Sequence, residues 1–217
     1  ARGSRLQVFV GDPAEWLPRL AAAAGAGVVR WHRRYEPAME TRDAAIKRSL
    51  RDAGLDARSH NGALLFEPWQ VATQLGDPYK VFTPFWRAAL KQWRLPALHE
   101  APESLPAPPP LPGAVELDAL GLAPALPWDR GFWEQWEPGE AGALAALERF
   151  ADGALAGYGE RRDIPGVQGT SRLSPHLHFG EVAPWRIAHR LQDAGPDGDR
   201  AAYLRELGWR EFGYHLL

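Results

Sequence analysis

The first apolar run, Leu6-Gln-Val-Phe-Val10, has the character of a β-strand and stops at Gly11. Pro13 to Ala24 is alanine-rich and reads as a helix closed by Gly25, after which Val28-Val-Arg-Trp31 predicts the next strand. Met39, Ile46, Leu50 and Ala53 then share one face of a helix spanning about Pro37 to Gly54, with charges on the other face. A further strand is predicted around Leu55 to Ser59. Strand, helix and strand in so short a space predict a right-handed crossover and a parallel sheet.

Phe82 to Trp93 predicts another helix, and from Leu95 the pattern breaks. Nine prolines between Pro96 and Pro127 exclude long helices and predict an extended connection. From Trp128 the period is helical again. Leu144, Leu147, Ala151, Leu155 and Tyr158 form one apolar side, and further helices are predicted over Val182–Leu191 and from about Asp199 to Leu217. The fold class is therefore α/β plus all-α, divided as residues 1–94, a linker at 95–127, and residues 128–217.

Composition adds limits. The 217 residues are 45% hydrophobic with a formal net charge of -2, so a contact with nucleic acid needs a local basic patch, for which Arg161, Arg162 and Arg172 are the candidates. The absence of cysteine excludes disulfides and zinc–thiolate sites. No apolar run approaches the roughly 20 residues of a membrane helix, and no signal-peptide pattern opens the chain. The expectation is a cytoplasmic protein with no membrane partner. There is no P-loop, no G-x-G-x-x-G and no Ser-His-Asp arrangement, and His176 and His178, one residue apart, make no convincing metal site and read as surface or capping histidines.

The stretch from Gly157 to Glu181 carries the chemistry. Thr170, Ser171 and Ser174 are residue types that cap helix N-termini, where backbone N–H groups attract anions, and Arg172 lies among them. The same residues serve equally as a plain cap beside a solvated arginine. On the last helix Tyr203, Glu206, Leu207 and Arg210 share a face, with Trp209 at its edge. A carboxyl and an indole there suit a planar, hydrogen-bonding ligand; an ion pair between Glu206 and Arg210 with Trp209 in the core suits the spacing as well.

The string Thr170-Ser-Arg-Leu-Ser-Pro-His-Leu-His-Phe-Gly-Glu181, preceded by Tyr158 and Arg162 and followed by Glu206-Leu-Gly-Trp-Arg-Glu-Phe212, resembles the flavin-binding region of the DNA photolyase and cryptochrome family. The likeness extends to Arg33-Arg-Tyr-Glu-Pro37 and Tyr79-Lys-Val-Phe-Thr-Pro-Phe85. The resemblance implies a partial Rossmann-like antenna domain, a proline-rich linker and the first part of a helical FAD-binding domain. It implies that Tyr158, Thr170, Ser171, Arg172, Leu173 and Ser174 hold FAD, and that Tyr203 and Arg210 line the flavin and substrate cavity. Arg162 would touch the DNA backbone, and Glu206 and Trp209 would face the flipped-out lesion as catalytic residues. The loop at His32–Glu36 would lie near a second, antenna chromophore of folate or deazaflavin type.

The implied activity is light-driven splitting of pyrimidine dimers in damaged DNA. Because Glu206 and Trp209 are both present, the resemblance is greatest to class I cyclobutane-dimer photolyases. A cryptochrome-type photoreceptor binding FAD without repair, or an inactive piece of either, is the alternative. The family's opening βα unit and its later flavin-ring and electron-relay segments have no counterpart here. The expectation is therefore a partial chain that binds FAD weakly alone, from a protein monomeric at full length.

Overall fold

The computed structural model describes residues 3–217. It divides into two compact units, residues 3–60 with 99–131, and residues 61–98 with 132–217.

In the first unit, helix α1 (Pro13–Ala24) is capped by the Asp12 side chain, which accepts the Ala14 N–H at 2.8 Å, and ends at Gly25 in the left-handed conformation. Strand β1 (Val28–His32), helix α2 (Pro37–Asp52) and strand β2 (Asp56–His60) form the anticipated crossover, with β1 and β2 parallel in register from Val28 opposite Asp56 to His32 opposite His60. Ile46 and Leu50 of α2 bury against Ala57 of β2, with Leu17, Val29, Trp31 and Leu55 around them.

The predicted strand at Leu6–Val10 is reduced to one antiparallel bridge, Val8 to Val115, and Leu6 and Val10 are exposed. Its partner is the proline-rich segment, which is no free linker. Gln7 donates to Pro109 O at 2.9 Å and accepts from Leu111 N–H at 2.7 Å, Arg5 donates to Pro108 O at 3.1 Å, and the Trp16 ring lies against Gly113. Prolines leave carbonyls without matching N–H donors, and the N-terminal side chains satisfy them.

The second unit holds α3 (Phe82–Lys91), the C-terminal end of the short α4 (Arg130–Trp133), α5 (Glu140–Arg149), a π-helical turn at Phe150–Ala154, α6 (Tyr158–Arg161), α7 (Ser174–His178), α8 (Pro184–Leu191) and α9 (Asp197–His215). The boundary anticipated at residue 94 moves, because residues 61–98 belong here. Phe82 and Phe85 pack on Phe212, the buried Glu211 carboxylate accepts the Leu65 and Phe66 N–H groups at 2.7 and 3.1 Å, and His215 accepts the Tyr79 N–H at 2.8 Å.

The larger core of this unit joins Leu147, Phe150, Leu155, Tyr158, Leu173, Ile187, Leu191, Tyr203 and Leu207. The helix expected to carry Leu144 through Tyr158 is broken by the π turn and by Gly157 at φ 84°, so Tyr158 opens a separate short helix. Among the described residues no helix is long and apolar enough to cross a membrane.

Candidate functional site

Helix α9 organises the site, because residues three, four or seven apart lie on one face. Asp199, in its first turn, accepts the backbone N–H groups of Gly157 at 2.8 Å and Gly159 at 2.9 Å. Those two donations hold the Asp199 carboxyl below its ordinary value and fix the start of α6. One turn on, Tyr203 is buried between Phe150 and Tyr158, and its hydroxyl donates to Ser171 Oγ at 3.0 Å. Burial pushes the phenol of Tyr203 well up, and that of Tyr158 up as well. Glu206 forms an ion pair with Arg162, whose guanidinium also lies 3.4 Å from Asp163 and over the Tyr158 ring. Arg210 donates to Ala63 O at 2.7 Å and lies over the Tyr214 ring.

These side chains enclose a cavity of about 670 Å³. Tyr158, Arg162, Thr170, Ser171, Arg172, Leu173, Ser174, Tyr203, Glu206 and Arg210 all line it, so ten of the eleven residues singled out in the sequence meet at one place. Leu177, Leu207 and Tyr214 complete the apolar part of the wall. The spacing of 203, 207, 210 and 214 contains the signal for the last two, since it follows the apolar face of α9.

Trp209 is the exception. It is absent from the cavity lining and lies face to face on Phe82, ring centres 3.7 Å apart and planes 11° from parallel, while remaining 49% exposed. The side-by-side arrangement with Glu206 does not form because α3 supplies a flat aromatic partner on the other side. The alternative ion pair between Glu206 and Arg210 is absent too, since Arg162 takes the glutamate and Glu211 the arginine.

The hydroxyl-rich segment also differs from the capping expectation. Leu173 occupies the N-cap position of α7 and no side chain caps it; Ser171 Oγ instead accepts the Leu173 N–H at 3.3 Å. Arg172 sits at φ 55°, a conformation that L-residues visit at a cost. It donates to Gln135 at 3.0 Å and covers the Trp136 ring. Gly169 is required where it stands, because a Cβ there would lie 2.5 Å from the Arg161 carbonyl oxygen.

Of the three arginines expected to form a basic rim, Arg162 and Arg172 line the cavity, while Arg161 turns back onto Ala156 O. His176, read as a surface or capping histidine, is buried, with Nδ1 2.5 Å from Glu181, an acidic neighbour five residues on. No group of three or more His, Cys, Asp or Glu among the described residues is placed to hold a metal ion. In the first unit, Arg34 closes on Glu36 and holds its carboxyl down at about 2. The loop after β1 is thus at least in part a salt-bridged turn.

The donor set of the large cavity fits a flavin dinucleotide. Three hydroxyls and Arg172 stand together for phosphate and ribityl oxygens, apolar surface comes from Leu173, Leu177 and Leu207, and Glu206 and Arg210 provide polar groups for a ring edge.

The family model "DNA photolyase" matches residues 1–109, half of the chain. The deoxyribodipyrimidine photo-lyase of Agrobacterium fabrum is 43% identical over 99% of this chain and 46% of its own length. The crystal structure of a bacterial class III photolyase from Agrobacterium tumefaciens superposes with a TM-score of 0.92 at 43% identity, covering 100% of this chain and 46% of that one. A cryptochrome from Synechocystis shares the fold at TM-score 0.82 and 24% identity, over 99% of this chain and 46% of that one. The chain thus spans about half the length of these relatives, 46% in each case. The class I expectation is not confirmed, since the highly similar structure is of class III. A match over half its length, together with relatives of this kind, makes the chain a member of the DNA photolyase family.

Proposed function

We propose that the protein is a deoxyribodipyrimidine photolyase that splits cyclobutane pyrimidine dimers by light-driven electron transfer, of class III rather than class I. The observation that carries the reading is the convergence of Glu206 with the hydroxyl-rich segment on one cavity. The similarity to a class III photolyase at TM-score 0.92 supports the choice of class.

In this reading Tyr158, Thr170, Ser171, Arg172, Leu173 and Ser174 hold FAD, and Tyr203 and Arg210 line its cavity. Reduced FAD, when bound, supplies the absorption of light and the electron that opens the dimer. The chain's own part is to orient and enclose. Arg172 and the hydroxyls neutralise phosphate charge, Leu173, Leu177 and Leu207 exclude water, and Glu206 presents its carboxyl to the bases of a lesion taken out of the stack. An antenna chromophore of folate or deazaflavin type would be held by the α/β unit.

A light receptor that binds FAD without repair is the second reading, favoured by the position of Trp209 outside the cavity lining. The test is illumination of the flavin-loaded protein with an oligonucleotide containing a thymine dimer. Dimer loss that depends on light supports the enzyme; bound flavin with no dimer loss leaves the receptor.

A further inference from the structure

We infer that a second, smaller cavity in the helical unit is a binding site for a small oxyanion of the phosphate class, separate from the cavity given to the flavin. The inference does not depend on the activity proposed above.

This cavity has a volume of about 230 Å³. Its wall comes from the loop at Gln135–Glu137, from α5 with the π-helical turn behind it, and from the segment Gln168–Arg172. Three local irregularities meet there. The π-helical turn, a departure from α-helix that is frequent at functional sites, gives Phe150 and Ala154 to the wall. Arg172, at φ 55°, has its guanidinium held by Gln135 and by the Trp136 ring, and those two residues line the smaller cavity and not the larger. The indole Nε1 of Trp136 is buried with no hydrogen-bond acceptor, and a buried donor left unpaired calls for an occupant that accepts from it.

The side chains around that donor define the occupant. Arg149 and Arg172 have no carboxylate partner among the described residues, and Glu137 is the one acid in the lining, so the wall carries a net positive charge. The Gln168 carboxamide, the Thr170 hydroxyl and the Trp136 N–H add donors from separate stretches of chain. Donors that converge from several directions suit a tetrahedral anion with several acceptor oxygens. A phosphate group with its nearest waters, or with a small ester substituent, fits the volume, and an intact flavin dinucleotide exceeds it. Arg149 sets the site apart, because it lines the smaller cavity alone and can be changed without touching the flavin wall.

The experiment is equilibrium dialysis of radiolabelled orthophosphate against the whole, flavin-loaded protein, at constant ionic strength so that general screening does not vary. The parent is expected to take up one phosphate per chain in a saturable manner. Arg149→Ala is expected to weaken uptake about tenfold, as for the loss of one charge-assisted hydrogen bond, and Arg149→Lys to restore part of it. Trp136→Phe keeps a ring beneath Arg172, removes the N–H, and is expected to weaken uptake about threefold. Flavin absorbance should be the same in the parent and both Arg149 variants. Glycerol phosphate then separates the two sources of the anion: competition with orthophosphate marks a small phosphomonoester as an occupant, and exclusion marks the free ion.

No saturable uptake in the parent overturns the inference, leaving water as the occupant of the cavity. Uptake that occurs only in flavin-free protein, or that Arg149→Ala leaves unchanged, overturns it as well, because the phosphate then sits in the larger cavity. Light-driven dimer repair is untouched by either result and tests the proposed function separately.

Discussion

The hydroxyl of Tyr203 donates to Ser171 Oγ at 3.0 Å from within the core, joining the buried face of α9 to the segment that lines the cavity. Tyr203→Phe keeps the ring among Phe150 and Tyr158 and removes only this bond. The expected cost is about 1 kcal/mol in urea denaturation, with weaker flavin retention because Ser171 is then held by the Leu173 N–H alone. Unchanged flavin retention would show that the bond does not order the segment.

Asp199→Asn leaves fewer acceptors for the two amides of Gly157 and Gly159. Hydrogen exchange at both is expected to quicken. Because those donations depress the folded carboxyl below its ordinary value of 3.8, the stability it contributes is present above that value and is lost as pH falls through the lower, folded one. Melting temperature against pH should show this acid-range component in the parent and not in the variant.

Glu211 titrates in the opposite sense. Burial pushes its carboxyl from 4.5 up to about 7, despite the N–H groups of Leu65 and Phe66 and the neighbouring Arg210. The folded protein then holds this proton more tightly than the unfolded chain, so the contribution is full below 4.5 and is lost as pH rises through about 7. Its size is at most about 3 kcal/mol. Glu211→Gln should remove this slope from denaturation curves taken between about pH 5 and pH 8.

Gly169→Ala forces the segment ahead of Thr170 away from the Arg161 carbonyl. A loss of about 1–3 kcal/mol is expected from the overpacking, together with reduced flavin absorbance after gel filtration. Gly166→Ala, which meets no atom within 4 Å, is the control and should leave flavin content unchanged.

Trp209→Ala uncovers Phe82 and should cost about 0.5–1.5 kcal/mol beyond the lost buried area, while bound flavin stays in place because Trp209 does not line the cavity. Flavin loss from this variant, measured by absorbance, would contradict the position assigned to it.

The βαβ unit and the converging side chains were legible because both follow local periods: alternation into β1 and β2, and the three-and-four spacing that puts Tyr203, Glu206 and Arg210 on one side of α9. Distant partners were not. Nothing near Trp209 in sequence announces Phe82, which stands 127 positions earlier, and spacing offered Arg210 to Glu206 when the nearer cation in space is Arg162. Prolines at 96–127 read as a linker because their missing N–H groups forbid helix and sheet; that Arg5, Gln7 and Val8 would answer their carbonyls and Val115 depends on the N-terminal run, which the same rules assign to a strand.

The partners gathered along α9 make the helix a registration bar. Asp199, Tyr203, Glu206 and Arg210 each grip a different stretch of chain, and one residue inserted between Ala201 and Ala202 would swing the last three by about 100° relative to the first. An insertion that most surface helices absorb as a local bulge would here misalign the cavity wall in a single stroke, so changes of length in α9 should be far less tolerated than changes of side chain.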